Sequence, residues 1–249
     1  MNLLILAAGY AIRLYPLTQH TAKPLLTVAG RPILDHLLDS FAPISDIKHS
    51  ALISNSRFAP DFDTWLGDRS PSRSELQPKL IANGSMTRED KRGAIGDLHL
   101  ALNEGNLYDD DLIVVGGDNL FESPQTEFIN TARKRPASIA TYDVGCRETV
   151  KRFASLETRD DGQIHAFTEK PTDPKTTIAG TAFYFFQKDT LREIDRYIDE
   201  GNHTDNAGYL FQWLFPRIPT YAHPVDGAWY DIGDIDALEQ ARTAFVHGH

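Results

Sequence analysis

A single cysteine, Cys146, stands among the 249 residues, so no disulfide can form within the chain. That fits a reducing cytoplasm. Positive charge is also short: 25 Lys and Arg stand against 35 Asp and Glu, a formal net charge of −10. Broad nucleic-acid binding needs a basic surface, and this balance argues against it. A local cluster of Arg and Lys can still hold a small anion inside an acidic protein. No apolar run approaches the roughly 20 residues of a membrane span. The opening MNLLILAAG lacks a basic segment ahead of its short apolar run, so it does not read as a secretory signal. A cytoplasmic location without membrane attachment is therefore expected, and the triplets NGS at Asn83 and NHT at Asn202 read as incidental. The closing VHGH, with His247 and His249, reads as a solvated tail in preference to a metal site.

Hydrophobic residues make up 41% and charged residues 24%, the balance of a globular protein with a sizeable core. In the first half, short apolar runs read as strands: Leu3 to Leu6, 50–54, 78–83 and 111–119. Between them lie helical spacings. Ile33, Leu34, Leu37, Leu38 and Phe41 share one face, with Pro32 placed in the first turn. A short helix over 61–68 is expected to stop at Gly67. Another carries Ile95, Leu98 and Leu102 and ends at Gly105. Residues 70–75 read as a polar loop. The alternation predicts an α/β fold, Rossmann-like and three-layered (α/β/α), around a mostly parallel mixed central sheet. Ligands of such sheets bind beyond the C-terminal strand ends, where Gly9 and Asp118 lie.

The second half reads differently. Strands are expected over 137–144, 153–157, 163–169 and 180–186, with a hairpin turn at 160–162. Helices follow near 189–200 and 207–215, then a strand near 220–224 and a helix near 235–245. No Pro/Gly/Ser-rich linker divides the halves, so one domain over 1–249 is expected.

Three groups of residues could carry chemistry. Gly9 follows a strand and precedes Arg13, whose planar fork suits phosphate oxygens. Lys23 comes ten residues later, and Pro24 should hold it extended. The same residues would also suit a strand-end turn with two solvated cations. Asp118 ends the most apolar strand, and Asp231 follows Trp229 and Tyr230. Two such carboxylates with phosphate oxygens are a usual way to hold Mg²⁺, although each could instead be a turn or capping Asp. Glu169 and Lys170 stand at a strand end before Pro171, suited to sugar hydroxyls and a phosphate, or to an ordinary surface loop.

Taken together, GYAIRLYPLT, AKPLLTVAGRPIL, GGDN, TEKP, GTAFYFF and WYDIGD stand in an order that resembles the sugar-1-phosphate nucleotidyltransferases. The likeness is to the glucose-1-phosphate thymidylyl- and uridylyltransferase type, and it covers Leu3 to about Ala244. It implies a nucleotide-binding part over about 1–135 and a sugar-phosphate-binding part over about 136–249. By the resemblance, Ala8, Gly9, Arg13 and Lys23 hold the nucleoside triphosphate, and Asp118 and Asp231 hold Mg²⁺. Arg13, Lys23 and Asp118 would be the catalytic set. Asn83, Gly84, Gly93 and Ala94 would lie near the base, in and around the GAIGD segment that ends at Asp97. Glu169, Lys170, Gly180 and Thr181 would form the sugar-phosphate pocket. The implied reaction joins an NTP, dTTP or UTP favoured, to a hexose-1-phosphate and releases pyrophosphate.

The chain departs from the family pattern in places. Ala11 and Ile12 replace the loop's second glycine and its threonine, Ala22 replaces a proline, and Ala154 stands where a glycine is frequent beside the sugar. No acyltransferase β-helix or longer C-terminal extension follows, so bifunctionality is not expected. Two other readings stay open. One is a cytidylyltransferase acting on a phosphate such as phosphocholine. The other is a non-catalytic nucleotide- or sugar-binding regulatory subunit, against which the retention of Arg13, Lys23, Asp118 and Asp231 argues. Homo-oligomerisation is also left open.

Overall fold

The computed structural model describes residues 1–69 and 76–246. The polar loop expected at 70–75 and the terminal histidines lie outside the described residues. In chain order the strands are β1 (Asn2–Leu6), β2 (Thr27–Val28), β3 (Arg31–Pro32), β4 (His49–Ser54), β5 (Lys79–Ala82), β6 (Leu112–Gly116) and β7 (Asn119–Phe121). They continue with β8 (Ala137–Asp143), β9 (Ala154–Thr158), β10 (Ile164–Glu169), β11 (Ile178–Phe186), β12 (Thr220–Pro224) and β13 (Trp229–Asp231). The helices are α1 (Ile33–Phe41), α2 (Ala59–Asp68), α3 (Ala94–Glu104), α4 (Thr126–Ala132), α5 (Arg147–Val150), α6 (Arg192–Asp199), α7 (Gly208–Leu214) and α8 (Ile235–Val246).

Nine strands form the central sheet, in the order β10-β9-β11-β6-β1-β4-β5, with β8 pairing both β11 and β12. The first-half strands β6, β1, β4 and β5 run parallel, and β11 joins them antiparallel through β6. The second half is largely antiparallel, with β12 and β8 parallel. The sheet is thus mixed with a parallel centre, as the strand–helix alternation of the first half predicts.

Side-chain alternation along each strand makes two cores. Leu3, Ile5, Ile113, Val115, Phe183 and Phe185 face a layer holding α1, α2 and α4. Leu4, Leu112, Val114, Tyr184 and Phe186 face the opposite layer, with α3, α6 and α7. Strands buried on both faces need apolar residues at every position, which is why these runs are continuous. A smaller cluster of Leu14, Val28, Ile33, Leu120, Ile232 and Leu238 seats α8.

Several local expectations are corrected. Pro32 precedes α1 and belongs to β3, because Thr27 and Val28 pair with it and Arg31. Gly67 lies within α2, which runs on to Asp68. The apolar run 111–119 is two elements, since the chain turns at Gly117 and Asp118 and restarts as β7 to pair with β13. The helix expected over 189–200 opens with a 3-10 turn at Lys188–Thr190 before α6. No described helix is long and apolar enough to cross a membrane.

Candidate active site

The strand order places the site. From β1 the chain moves outward to β4 and β5, then returns to β6 on the other side of β1. This reversal opens a crevice at the C-terminal ends of β1 and β6, the usual ligand position of an open α/β sheet. Leu6 and Gly116 are register partners there, and the Gly117 N–H donates to the Leu6 carbonyl at 2.8 Å. The loop carrying Gly9 and the turn carrying Asp118 are thereby adjacent.

Asp118 is fixed from both sides. Its Oδ2 accepts from the Lys23 ammonium, and its Oδ1 accepts from Asn119 Nδ2 at 3.2 Å. Asn119 is fully buried and is itself anchored, giving its amide to the Gly116 carbonyl at 3.1 Å and accepting the Trp229 indole N–H at 2.7 Å. Lys23 opens a 3-10 turn, Lys23–Leu25, where Pro24 led us to expect an extended residue. The Lys23 carbonyl accepts from the Leu26 N–H at 3.0 Å, which closes that turn. Pro24 packs over Gly117, where an added Cβ would lie 3.1 Å from Pro24 Cγ. A larger residue at 117 would push the lysine turn away from Asp118.

The β7–β13 ladder sets Asp231 opposite Asn119, and the Ile232 N–H donates to the Asp118 carbonyl at 3.1 Å. Burial, and then the neighbouring Asp118 carboxylate, push the Asp231 carboxyl up, against the pull of Lys23, Arg13 and Arg152. Arg13 is the middle residue of the 3-10 helix Ile12–Leu14. Ala11, just before it, has φ 46° and ψ 42°, the left-handed region that costs an L-residue about 1–2 kcal/mol. The loop keeps that shape because the Thr18 hydroxyl and the Leu14 N–H both donate to the Ala11 carbonyl, at 2.8 and 3.0 Å. Gly9 needs neither a positive φ nor a close contact, and a Cβ there would meet nothing within 4 Å. The space above it is open cleft.

In the second half, Glu169, Ala154 and Gly180 lie side by side across β10, β9 and β11. A Cβ on Gly180 would stand 2.8 Å from Ile139 and 3.2 Å from the Ala154 methyl, so the two small residues are matched. The Glu169 carboxylate lies against Gly208 at the start of α7, and burial pushes its pKa up. Lys170 has φ +47° and its ammonium donates to Asn206 Oδ1 at 2.9 Å.

These residues surround one cavity of about 420 Å³. Ala8, Gly9, Gly93, Ala94, Asp118, Glu169, Lys170, Gly180 and Asp231 line it. Others stand outside the lining, Arg13 and Lys23 among them: Lys23 reaches the wall through Asp118, and Arg13 lies behind it beside Gly233. Thr181 is buried on the opposite side of β11 from Gly180 and donates to the Ala140 carbonyl at 3.0 Å. Strand alternation turns it away from its neighbour. Asn83 is buried behind the wall, where its amide donates to Asp97 Oδ1 at 2.7 Å and its carbonyl accepts from Arg92 at 2.6 Å. Gly84 is tied to the Ser56 hydroxyl at 2.9 Å. Asp97 does line the cavity, and burial lifts its carboxyl to about 6.

Gly93 has a positive φ, and any Cβ there would lie 2.4 Å from the Thr204 carbonyl oxygen. The loop at 204–205 caps the start of α3, accepting from the Ala94 and Ile95 N–H groups at 3.0 and 2.9 Å. Lys91 pairs with Asp205 at 2.5 Å. The wall that carries α3 and the wall that carries the 204–208 segment are therefore joined at this point.

The family model described as nucleotidyl transferase matches residues 2–247. The chain belongs to that family. Curated relatives of this family member include the UTP–glucose-1-phosphate uridylyltransferase of Synechocystis sp., 28% identical over 253 residues, covering 97% of this chain and 62% of the relative. The glucose-1-phosphate adenylyltransferase of Clostridium acetobutylicum is 28% identical over 257 residues, covering 96% and 65%. The chain thus spans less than two thirds of the length of these relatives. A Bacillus anthracis protein solved with sucrose, and assigned as a glucose-1-phosphate thymidylyltransferase, shares the fold with a TM-score of 0.80. It is 24% identical and the match covers 98% of this chain and 94% of that one.

Sequence reasoning did not single out Arg152, Asn119, Arg88, Lys91 or Asn206, all of which line the cavity or hold a residue that does. Asn119 could have been found, since a polar residue inside the apolar LIVVGGDNLF stretch must find buried partners. Arg152 carries no such signal, because its place beside Asp231 comes from long-range packing.

Proposed function

We propose that the protein condenses an NTP with a sugar-1-phosphate to give an NDP-sugar and pyrophosphate, with dTTP or UTP and a hexose-1-phosphate as favoured pair. One observation carries this reading. A single cavity has an open glycine loop and Asp118, backed by Lys23, at one end and the adjacent Glu169 and Lys170 with matched small residues at the other. The relatives differ in the base their names give, so the base is the part most in need of experiment.

An oxygen of the sugar phosphate attacks the α-phosphorus of the NTP. The new P–O bond forms as the bond from the α-phosphorus to the bridging oxygen breaks, and the electron pair leaves with pyrophosphate. A phosphate monoester is already nucleophilic near neutral pH, so no side chain has to remove a proton. Arg13 and Lys23 would neutralise phosphate charge and hold the triphosphate in line, and Glu169 would orient the sugar through its hydroxyls.

The donor set suits Mg²⁺. Asp118 and Asp231 are hard oxygen ligands, and Asp231 is a buried carboxyl facing a second carboxylate, which a cation would relieve. Among the described residues no group of three or more candidate ligands stands together, so phosphate oxygens and water would complete the coordination. When bound, the ion would supply further charge neutralisation at the phosphates.

The test is pyrophosphate release on incubation with Mg²⁺, each of five NTPs and a panel of sugar-1-phosphates, phosphocholine included. Release with an NTP and a sugar phosphate is expected. No release with any pair would overturn the activity, and release with phosphocholine alone would overturn the sugar assignment.

A further inference from the structure

We propose that Arg152 is a second phosphate-binding arginine of the cleft, clamped in position by Asp234. The proposal rests on the nucleotidyltransferase reading of the site and adds to it a residue outside the family-derived set. Arg152 lines the cavity just ahead of Phe153 and Ala154. Its guanidinium converges with that of Arg13 over the backbone of Gly233. A Cβ on Gly233 would stand 3.1 Å from Arg152 Nη2, 3.4 Å from Arg13 Nη2 and 3.0 Å from Asp231 Oδ2. Glycine therefore leaves the room in which two arginines from distant parts of the chain approach one carboxylate.

Arg152 is held by a dedicated partner. Its Nη2 donates to Asp234 Oδ2 at 2.7 Å. The other oxygen of Asp234 accepts the Ala237 N–H at 2.9 Å at the start of α8. One carboxylate thus caps a helix and fixes a guanidinium, so Arg152 is anchored to a regular element. With Lys23, this end of the cleft sets three cations against three carboxylates, Asp118, Asp231 and Asp234. Arg152 gives Asp234 one N–H donor, and the rest of its planar fork matches the oxygens of a phosphoryl group. Those oxygens could come from the triphosphate or from the sugar phosphate. Adjacency to Ala154, beside Glu169 and Gly180, favours the sugar phosphate.

The experiment compares wild type, Arg152→Gln and Asp234→Asn. Each is titrated by calorimetry, with Mg²⁺ present, against inorganic pyrophosphate, inorganic phosphate and glucose 1-phosphate, and its thermal midpoint is recorded. Arg152→Gln should weaken binding about ten- to a hundredfold, the loss typical of one charged hydrogen-bond donor. Loss confined to phosphate and glucose 1-phosphate assigns Arg152 to the sugar phosphate, and loss confined to pyrophosphate assigns it to the triphosphate. Asp234→Asn should weaken the same ligand by a smaller factor with the thermal midpoint kept, because Asn caps a helix as well as Asp does. Lowered midpoints with unchanged affinities would show that the pair only staples α8 and would overturn the proposal. If wild type binds none of the three probes, the nucleotidyltransferase reading itself fails, a result distinct from unchanged binding in the variant.

Discussion

The Lys23 ammonium donates to Asp118 Oδ2 across 95 residues of sequence, joining the turn after the first loop to the end of β6. The pair is half-buried, with side-chain exposures of 14% and 25%, so its charges are partly shielded from bulk water. Removing either partner leaves the other without its counter-charge at the crevice. Asp118→Asn and Lys23→Met are each expected to lower kcat by roughly 10²–10³, the usual cost of losing one preorganised charge at a phosphoryl centre. Steady-state pyrophosphate release checks this, with circular dichroism to show that the fold is kept. Activity within a few-fold of wild type would remove the pair from the reaction.

Asp97 gives a pH-dependent stability. Burial holds its carboxyl at about 6 in the folded chain, against the opposing hydrogen bond from Asn83. An unfolded Asp titrates near 3.9. Between these values the folded state binds a proton that the unfolded state has lost, so stability falls as pH rises from about 4 to about 6 and is level above. Asp97→Asn can still accept from Asn83, and it removes that slope. The variant should gain on the order of 2 kcal/mol over wild type at pH 7 relative to pH 4. Urea unfolding at the two pH values measures it. A difference between the proteins that is constant with pH would show that Asp97 titrates normally.

Ala11→Gly should stabilise the protein. Glycine removes about 1–2 kcal/mol of left-handed strain at φ 46° and costs about 0.5–1 kcal/mol in unfolded-state entropy. A net gain of about 0.5–1 kcal/mol in denaturant unfolding is the expectation. Ala11→Val should move the other way, because a β-branched residue tolerates that region worse.

Two glycines with similar positive φ should respond unequally to alanine. At Gly93 (φ +80°) the new methyl would stand 2.4 Å from the Thr204 carbonyl oxygen, whereas at Gly84 (φ +88°) the nearest atom is Arg92 Nη2 at 3.9 Å. Gly84→Ala should cost only the backbone strain, about 1–2 kcal/mol. Gly93→Ala should cost about 3 kcal/mol or more, since strain and overpacking add. Equal losses on thermal or urea unfolding would mean that the 204–205 loop simply moves aside.

Ala154→Gly should widen the end of the cleft proposed for the sugar, because the Ala154 methyl faces Gly180 and the cavity. Bulkier sugar-1-phosphates should gain in kcat/KM relative to smaller ones by a few-fold, the scale of one methyl in a pocket. The ratio measured over a panel of sugar-1-phosphates is the readout, and an unchanged ratio would place the sugar elsewhere.

The long elements were legible because burial on both faces demands uninterrupted apolar runs, as in β1 and β6, and because α1 and α3 carry clean helical spacing. The short ladders were not. β7 and β13 have three residues each, and their identity comes from pairing with each other across the fold. α4, with the sequence TEFINTA, has too few apolar positions to show a period. At the site, the loop, Asp118 and Glu169 could be read from strand ends. The side to which Thr181 points depends on the register of β11, and Asn83's partner Asp97 lies on another element, so neither was readable from local pattern.

Strand β11 pairs with β6 from the first half and with both β8 and β9 from the second. Sheet hydrogen bonds therefore join the strands beneath the two ends of the cleft, with one register irregularity in β11 between Gly180 and Tyr184. Two lobes swinging about a hinge would have to tear that strand from its neighbours, so substrate enclosure falls to loops at the rim. At one point of that rim the two walls are already clasped, by the Lys91–Asp205 ion pair and by the Thr204 and Asp205 carbonyls on the start of α3.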